Sequence, residues 1–130
     1  MQKIMEKEPG KASILGLWGN PFSAASVISN RITKSHRDTF SRFEYMDILT
    51  SVGNFKDVYL HLESLGLWME LSPGCIVALC GKTLLHEVGT GEGDRVCLAW
   101  YMRNNVHASL DVSSASWMSW QTYENFVSST

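Results

Sequence analysis

Punctuation is the feature that most constrains this chain. Gly or Asn interrupts it every eight to fifteen residues, and the stretches between are short and rich in Val, Ile, Leu, Thr and aromatic residues. Such segments are too short for ordinary helices, while β-branched and aromatic side chains pack well on a pleated surface, so the pattern predicts an all-β domain. Eight segments can be read, near 13–18, 24–33, 47–53, 58–62, 67–71, 75–80, 84–88 and 95–102. Eight short strands are the count of a jelly roll. In the last segment Val96, Leu98, Trp100 and Met102 fall on one face, and Arg95, Cys97, Ala99, Tyr101 and Arg103 on the other. Arg95 therefore points with Tyr101 and away from Trp100. Ser72-Pro73-Gly74 suits a type II turn, and Gly89-Thr90-Gly91-Glu92-Gly93-Asp94 a polar hairpin loop.

Beyond Val106 the period changes. Trp117, Trp120, Tyr123 and Val127 recur at spacings of three, three and four, which predicts a C-terminal helix over 114–127 packed on the outside of the sheets. A chain of 130 residues makes one domain, here with its core over 12–107 and its first eleven residues frayed. With 45% hydrophobic and 18% charged residues the chain is not a disordered one. Its longest apolar run, Cys75 to Cys80, is about a third of a membrane span, and the start MQKIMEKEPGK has no secretory apolar stretch. An intracellular, reducing location is expected. Cys75, Cys80 and Cys97 are odd in number, form no C-x-x-C pair and lie in apolar stretches, so they read as core thiols rather than zinc ligands. Trp18, Trp68 and Trp100 also read as core, and His61 as facing solvent.

Chemistry concentrates at Lys34-Ser35-His36-Arg37-Asp38. On an extended backbone His36 and Asp38 project to the same side and can converge on one ion. His86, in the segment 84–88, supplies a second imidazole. Two His and one carboxylate, leaving open positions, form the ligand set that suits non-haem Fe(II). Taken singly, His-x-Asp also suits a solvated turn, and His86 a hydrogen-bonded strand residue. Arg95 opens an apolar strand, where its charge is costly to bury without a carboxylate; its planar fork suits a bidentate acid such as the distal end of 2-oxoglutarate. An ion pair with Asp94 or Glu92 is the alternative reading of that arginine.

The order His36-x-Asp38, His86, Arg95 resembles the double-stranded β-helix of Fe(II)/2-oxoglutarate dioxygenases. Ser35-His36-Arg37-Asp38, then 47–54, then Ser72-Pro73-Gly74 leading through 75–79 to Gly81, then His86 and the run 93–103 resemble the TET/JBP-type oxygenase domains of the fungal, basidiomycete branch. The resemblance covers roughly residues 22–107. It implies Fe(II) held by His36, Asp38 and His86, 2-oxoglutarate anchored by Arg95, and oxidation of the methyl group of 5-methylcytosine in DNA. The partner implied is DNA carrying methylated bases, which places the protein in the nucleus, and the target base must leave the duplex to reach a metal in a pocket. Domains of this family carry a sizeable segment before the first core strand, whereas about twenty residues precede Pro21 here. A truncated, catalytically silent jelly-roll fragment or binding module is therefore the competing expectation.

The net charge of −2 gives no general attraction to a polyanion. Locally, Arg31, Lys34, Arg37 and Arg42 face a single acid, Asp38, and flank the metal motif where a phosphate backbone would lie, with a solvated turn as the alternative reading. Phe43 or Tyr45, in the loop that follows, is placed to stack on a base.

Overall fold

Two long strands organise the fold. The computed structural model describes residues 6, 9–11 and 16–129. In it β3 (Asp47–Lys56) and β8 (Glu92–Tyr101) pair antiparallel along their whole length, from Ile48 opposite Trp100 to Lys56 opposite Glu92. Adding β1 (Ala24–Ser29) beside β8 and β6 (Ile76–Leu79) beside β3 completes a sheet of order β1-β8-β3-β6. The second sheet, of order β2-β7-β4-β5, contains β2 (Thr33–His36), β7 (His86–Val88), β4 (Tyr59–Leu62) and β5 (Leu67–Glu70). Every pairing is antiparallel. The eight strands in two four-stranded sheets form the jelly roll expected from the spacing of the apolar segments.

Residues from both sheets fill the space between them at one end. Phe55, Val58, Leu60, Leu62, Leu71, Leu79 and Val88 form a single buried cluster, with Leu49, Met69 and Val77 packed against it. Burial of each such side chain stabilises the fold by about 1.5–3 kcal/mol. That cluster leans on β3, β4 and β6. The other half of the interior, under β1, β8, β2 and β7, is lined by charged and polar side chains together with Ile28, Leu49 and Val88, and holds the candidate site.

Several expected elements are adjusted. The segment 24–33 is two strands, because Asn30 adopts φ 48° and redirects the chain from one sheet to the other. Its amide donates to the Arg95 carbonyl (2.9 Å), its Oδ1 accepts from the Arg95 amide (2.7 Å) and its Nδ2 donates to Asp94 Oδ1 (2.9 Å), so Asn30 is pinned at the corner. Of the segment 13–18, residues 13–15 lie outside the described residues, and Gly16–Trp18 are turn and coil rather than strand. The glycine-rich loop is shorter than expected, since β8 begins at Glu92. The turn at Ser72-Pro73-Gly74 is as expected: Gly74 takes φ 86° and the Cys75 amide donates to Ser72 O at 3.0 Å.

The C-terminal helix starts later than its apolar spacing suggests. α1 (Asn104–Ser109) is followed by extended chain and then α2 (Trp120–Ser128), because Ser119 caps α2 by accepting from the Thr122 amide. No residue of α2 is buried, and Trp117, Trp120 and Tyr123 are exposed, so the expected packing against the sheets is not made. The tryptophans also depart from the core reading. Trp68 is 62% exposed and stacks on His61 at 3.9 Å, while Trp18 meets Trp100 edge-on at 6.0 Å on the outer side of the first sheet. His61 in turn lies half-buried beneath Trp68 and bonds Glu87 at 2.8 Å instead of facing solvent. Cys97 is buried, and Cys75 and Cys80 are half-buried free thiols.

Candidate metal centre

β2 and β7 bring the two histidines together. They pair with His36 opposite His86, and both side chains turn into the interior with ring centroids 4.3 Å apart. Each ring is held by the same local device. His36 Nδ1 bonds the Lys34 carbonyl and His86 Nδ1 the Leu84 carbonyl, both at 2.9 Å. A carbonyl only accepts, so each Nδ1 carries the proton and each Nε2 keeps its lone pair for a ligand. Asp38, two residues past the end of β2, places Oδ1 3.7 Å from His36 Nε2. Donor atoms of His36, Asp38 and His86 all lie within 4.8 Å of one another, the reach of one cation.

Gly81 makes room for the carboxylate. Its carbonyl accepts from the Asp38 amide at 2.9 Å, and a Cβ built on it would collide with the Asp38 side chain. Asp47, at the start of β3, is buried, shares the space over Gly81 with Asp38, and leaves its Oδ1 without a partner. Burial first, and the neighbouring Asp38 charge second, push the Asp47 carboxyl up to about 7, against an opposing pull from Arg103.

Arg95 closes the other end of the same cavity, which has a volume of about 170 Å³ and is lined by the three donors, Arg31, Arg95 and Arg103 among others. Arg95 is 6% exposed. Its Nη2 donates to the Arg31 carbonyl at 3.0 Å, but among the described residues it pairs with no carboxylate. Both acids offered by the sequence for that purpose are engaged elsewhere: Glu92 binds Lys56 at 2.9 Å and Asp94 accepts from Asn30. Gly53, at φ 133° opposite Arg95, lets the β8 backbone approach so closely that a Cβ there would strike the Asp94 carbonyl. A buried guanidinium without a counterion is costly, and an incoming carboxylate relieves that cost.

A family model described as the oxygenase domain of the 2OGFeDO superfamily, Tet_JBP, matches residues 4–104. The chain belongs to this family. Comparison with curated proteins gives no match. Membership in the 2OGFeDO superfamily implies Fe(II) and 2-oxoglutarate as cofactors, and the residues present fit them: two imidazoles with free Nε2 atoms and one carboxylate suit Fe(II), and a buried, carboxylate-free Arg95 suits a dicarboxylic acid.

The remaining expected residues are distributed unevenly. Arg31, Lys34 and Arg37 are exposed, and of the three only Arg31 lines the cavity; Arg37 Nε donates to the Thr83 carbonyl at 3.1 Å. Arg42 is held by Glu44, an acid just beyond the basic run, through two bonds of 3.0 and 3.2 Å. Phe43 is exposed, whereas Tyr45 is fully buried and shares a hydrogen bond with His107 at 3.3 Å, which removes it from any stacking role. Asp47 and Arg103 are cavity residues that the His-x-Asp motif does not reveal. Arg103 shares the inward alternation of Arg95 and stacks over Tyr101 at 4.2 Å, and an acid heading an apolar strand was the signal for Asp47. Among the described residues, no helix is long and apolar enough to cross a membrane.

Proposed function

We propose that this Tet_JBP oxygenase domain oxidises the methyl group of 5-methylcytosine in DNA. The observation that carries the reading is the shared cavity: His36, Asp38 and His86 stand at one end of it and Arg95, buried and without a carboxylate partner, at the other. His36, Asp38 and His86 hold Fe(II), and Arg95 grips the distal carboxylate of 2-oxoglutarate through its planar fork. Iron with 2-oxoglutarate supplies the oxidation, in which O2 and the keto acid give succinate and CO2 while the methyl group becomes hydroxymethyl.

The protein's own part is placement and dryness. The Lys34 and Leu84 carbonyls fix both imidazoles, Gly81 lets the Asp38 carboxylate approach, and the sheets shield the cavity floor. A stacked base cannot enter such a cavity, so the nucleotide turns out of the duplex. Arg31 on the cavity wall and the exposed Lys34 and Arg37, which flank His36 in the chain, supply cations for the flanking phosphates, and work on DNA sets the protein's location in the nucleus.

The test is incubation of the chain with Fe(II), 2-oxoglutarate and a duplex oligonucleotide bearing one 5-methylcytosine, read by mass spectrometry. Addition of one oxygen to the methylated strand, lost in Asp38→Ala, supports the reading. Oxidation of an N-methylated base or of RNA instead, with 5-methylcytosine untouched, overturns the substrate assignment.

A further inference from the structure

Between β2 and β3 the chain runs from the metal donor Asp38 to Asp47, and both of these carboxylates line the cavity. It makes two successive turns on the way. The Ser41 amide donates to the Asp38 carbonyl at 3.1 Å and the Tyr45 amide to the Arg42 carbonyl at 3.2 Å, which puts Phe40 at the tip of the first turn and Phe43 at the tip of the second. Turn tips ordinarily carry Gly, Pro, Asn, Asp or Ser. Here both carry phenyl rings, 77% and 58% exposed, and the exposed Met46 follows at the same spacing of three. Ser41 and Tyr45, which close the turns, are buried.

The two turns are braced from behind. The Thr39 carbonyl accepts from Lys82 Nζ at 2.7 Å, the Phe43 carbonyl from Cys80 Sγ at 3.4 Å, and the Asp38 amide is tied to the Gly81 carbonyl. The rings therefore stand out on a fixed support, and folding gains little from apolar surface left in water. Charge points to the class of partner. Within residues 39–46 the one acid, Glu44, is engaged by Arg42, whereas the Lys82 ammonium has donors beyond the one spent on Thr39 and Arg37 is exposed next to Asp38 in the chain. Phenyl rings bordered by cations suit a polyanion that also offers π faces, which a nucleic acid provides.

Resting on the proposed action on DNA, we infer that Phe40 and Phe43 enter the gap that the target nucleotide leaves in the base stack. Extrusion sacrifices the stacking of the target base, and an apolar side chain inserted between base steps restores part of it. Position agrees with this role. Phe40 is two residues from Asp38, so their Cα atoms are at most about 7 Å apart. A base held at the metal is still joined through its sugar to the gap it left, so whatever fills that gap stands close beside the metal.

The test uses the full chain and a duplex carrying pyrrolocytosine, a fluorescent cytosine analogue quenched by stacking, at the target position. Saturating wild-type chain should raise the fluorescence without iron or 2-oxoglutarate. Phe40→Ala with Phe43→Ala should lower the equilibrium for extrusion at least about fivefold, with anisotropy showing that DNA is bound and a thermal melt that the variant folds. Placing the analogue opposite an abasic site, where it is already unpaired, should shrink that loss, and Phe40→Trp with Phe43→Trp should retain extrusion. A wild-type chain that binds no duplex overturns the inference and leaves the rings to a protein partner, and one that binds without extrusion overturns it as well. Oxidation of 5-methylcytosine in duplex DNA that proceeds equally well without both rings overturns the inference alone. Extrusion that depends on the rings while 5-methylcytosine stays untouched keeps it and overturns only the substrate assignment.

Discussion

His36 and His86 stand directly opposite each other across the β2–β7 pair, each with its Nδ1 tied to the backbone carbonyl two residues before it. The symmetry of this device is what prepares a metal site without a metal. Both rings are fixed in tautomer and direction by their own strands, so the Nε2 atoms converge before any ion arrives. Asp38 and Gly81 add the third donor and the space it needs.

Gly81→Ala tests that space. A methyl group there collides with the Asp38 carboxylate, and either the carboxylate or the chain must move. Metal affinity should fall by about 10–100-fold, the loss seen when supports of a ligand are removed. A Co(II) or Fe(II) titration measures it, with a thermal melt to show that the variant is folded.

Arg95→Ala separates the cofactor from the metal. Removing a buried charge from a paired contact costs about 2 kcal/mol or more, so 2-oxoglutarate should bind at least about thirtyfold more weakly. Fe(II) affinity should stay within about twofold, since Arg95 and the three donors stand at opposite ends of the cavity. Equal loss of both ligands in calorimetric titrations would make Arg95 a structural residue instead. Arg95→Lys keeps the charge without the fork and should recover part of the binding.

Asp47 gives the metal-free protein a pH signature. Its carboxyl is raised from 3.8 to about 7 in the folded chain, so the folded state holds this proton more tightly than the unfolded one. Its stabilising effect is complete below the unfolded value, and it is lost as the pH rises from about 4 to about 7. Asp47→Asn removes the effect. In the presence of chelator, the variant's Tm should gain on the wild type between pH 5 and pH 8; a constant difference would show that Asp47 ionises normally.

The basic residues around the His36 motif can be ranked by salt. If Arg31, Lys34 and Arg37 each meet a phosphate, substitution of any one by Gln lowers the slope of log affinity against log salt by about 0.9. Arg42→Gln should leave that slope unchanged, because Glu44 already occupies its guanidinium. Fluorescence anisotropy of a labelled duplex at several salt concentrations reads the difference.

Much of this was legible in the residues themselves because it depends on local periodicity. The period of two in 95–103 correctly put Arg95 on the side of Tyr101, and both line the cavity. His36, Asp38 and His86 were legible as candidate donors from their order and type, and the fold brings their donor atoms within 4.8 Å of one another. What escaped depends on tertiary context. Nothing local distinguishes the left-handed Asn30 from a residue inside a long strand, and its ties to Asp94 and Arg95 cross 64 and 65 positions. Trp68 alternates as a core residue would, but its face of the second sheet, shared with His61, is the outer one, where stacking on that imidazole replaces burial. The partner of Arg42 was missed because Glu44 lies past the end of the basic run.

If His36, Asp38, His86 and Arg95 together form one Fe(II)/2-oxoglutarate site, an anaerobic titration of the purified chain with both components shows it. A visible charge-transfer band is expected that needs both Fe(II) and 2-oxoglutarate and that disappears in His36→Ala. A folded wild-type chain that shows no band, or a band that persists in His36→Ala, contradicts it.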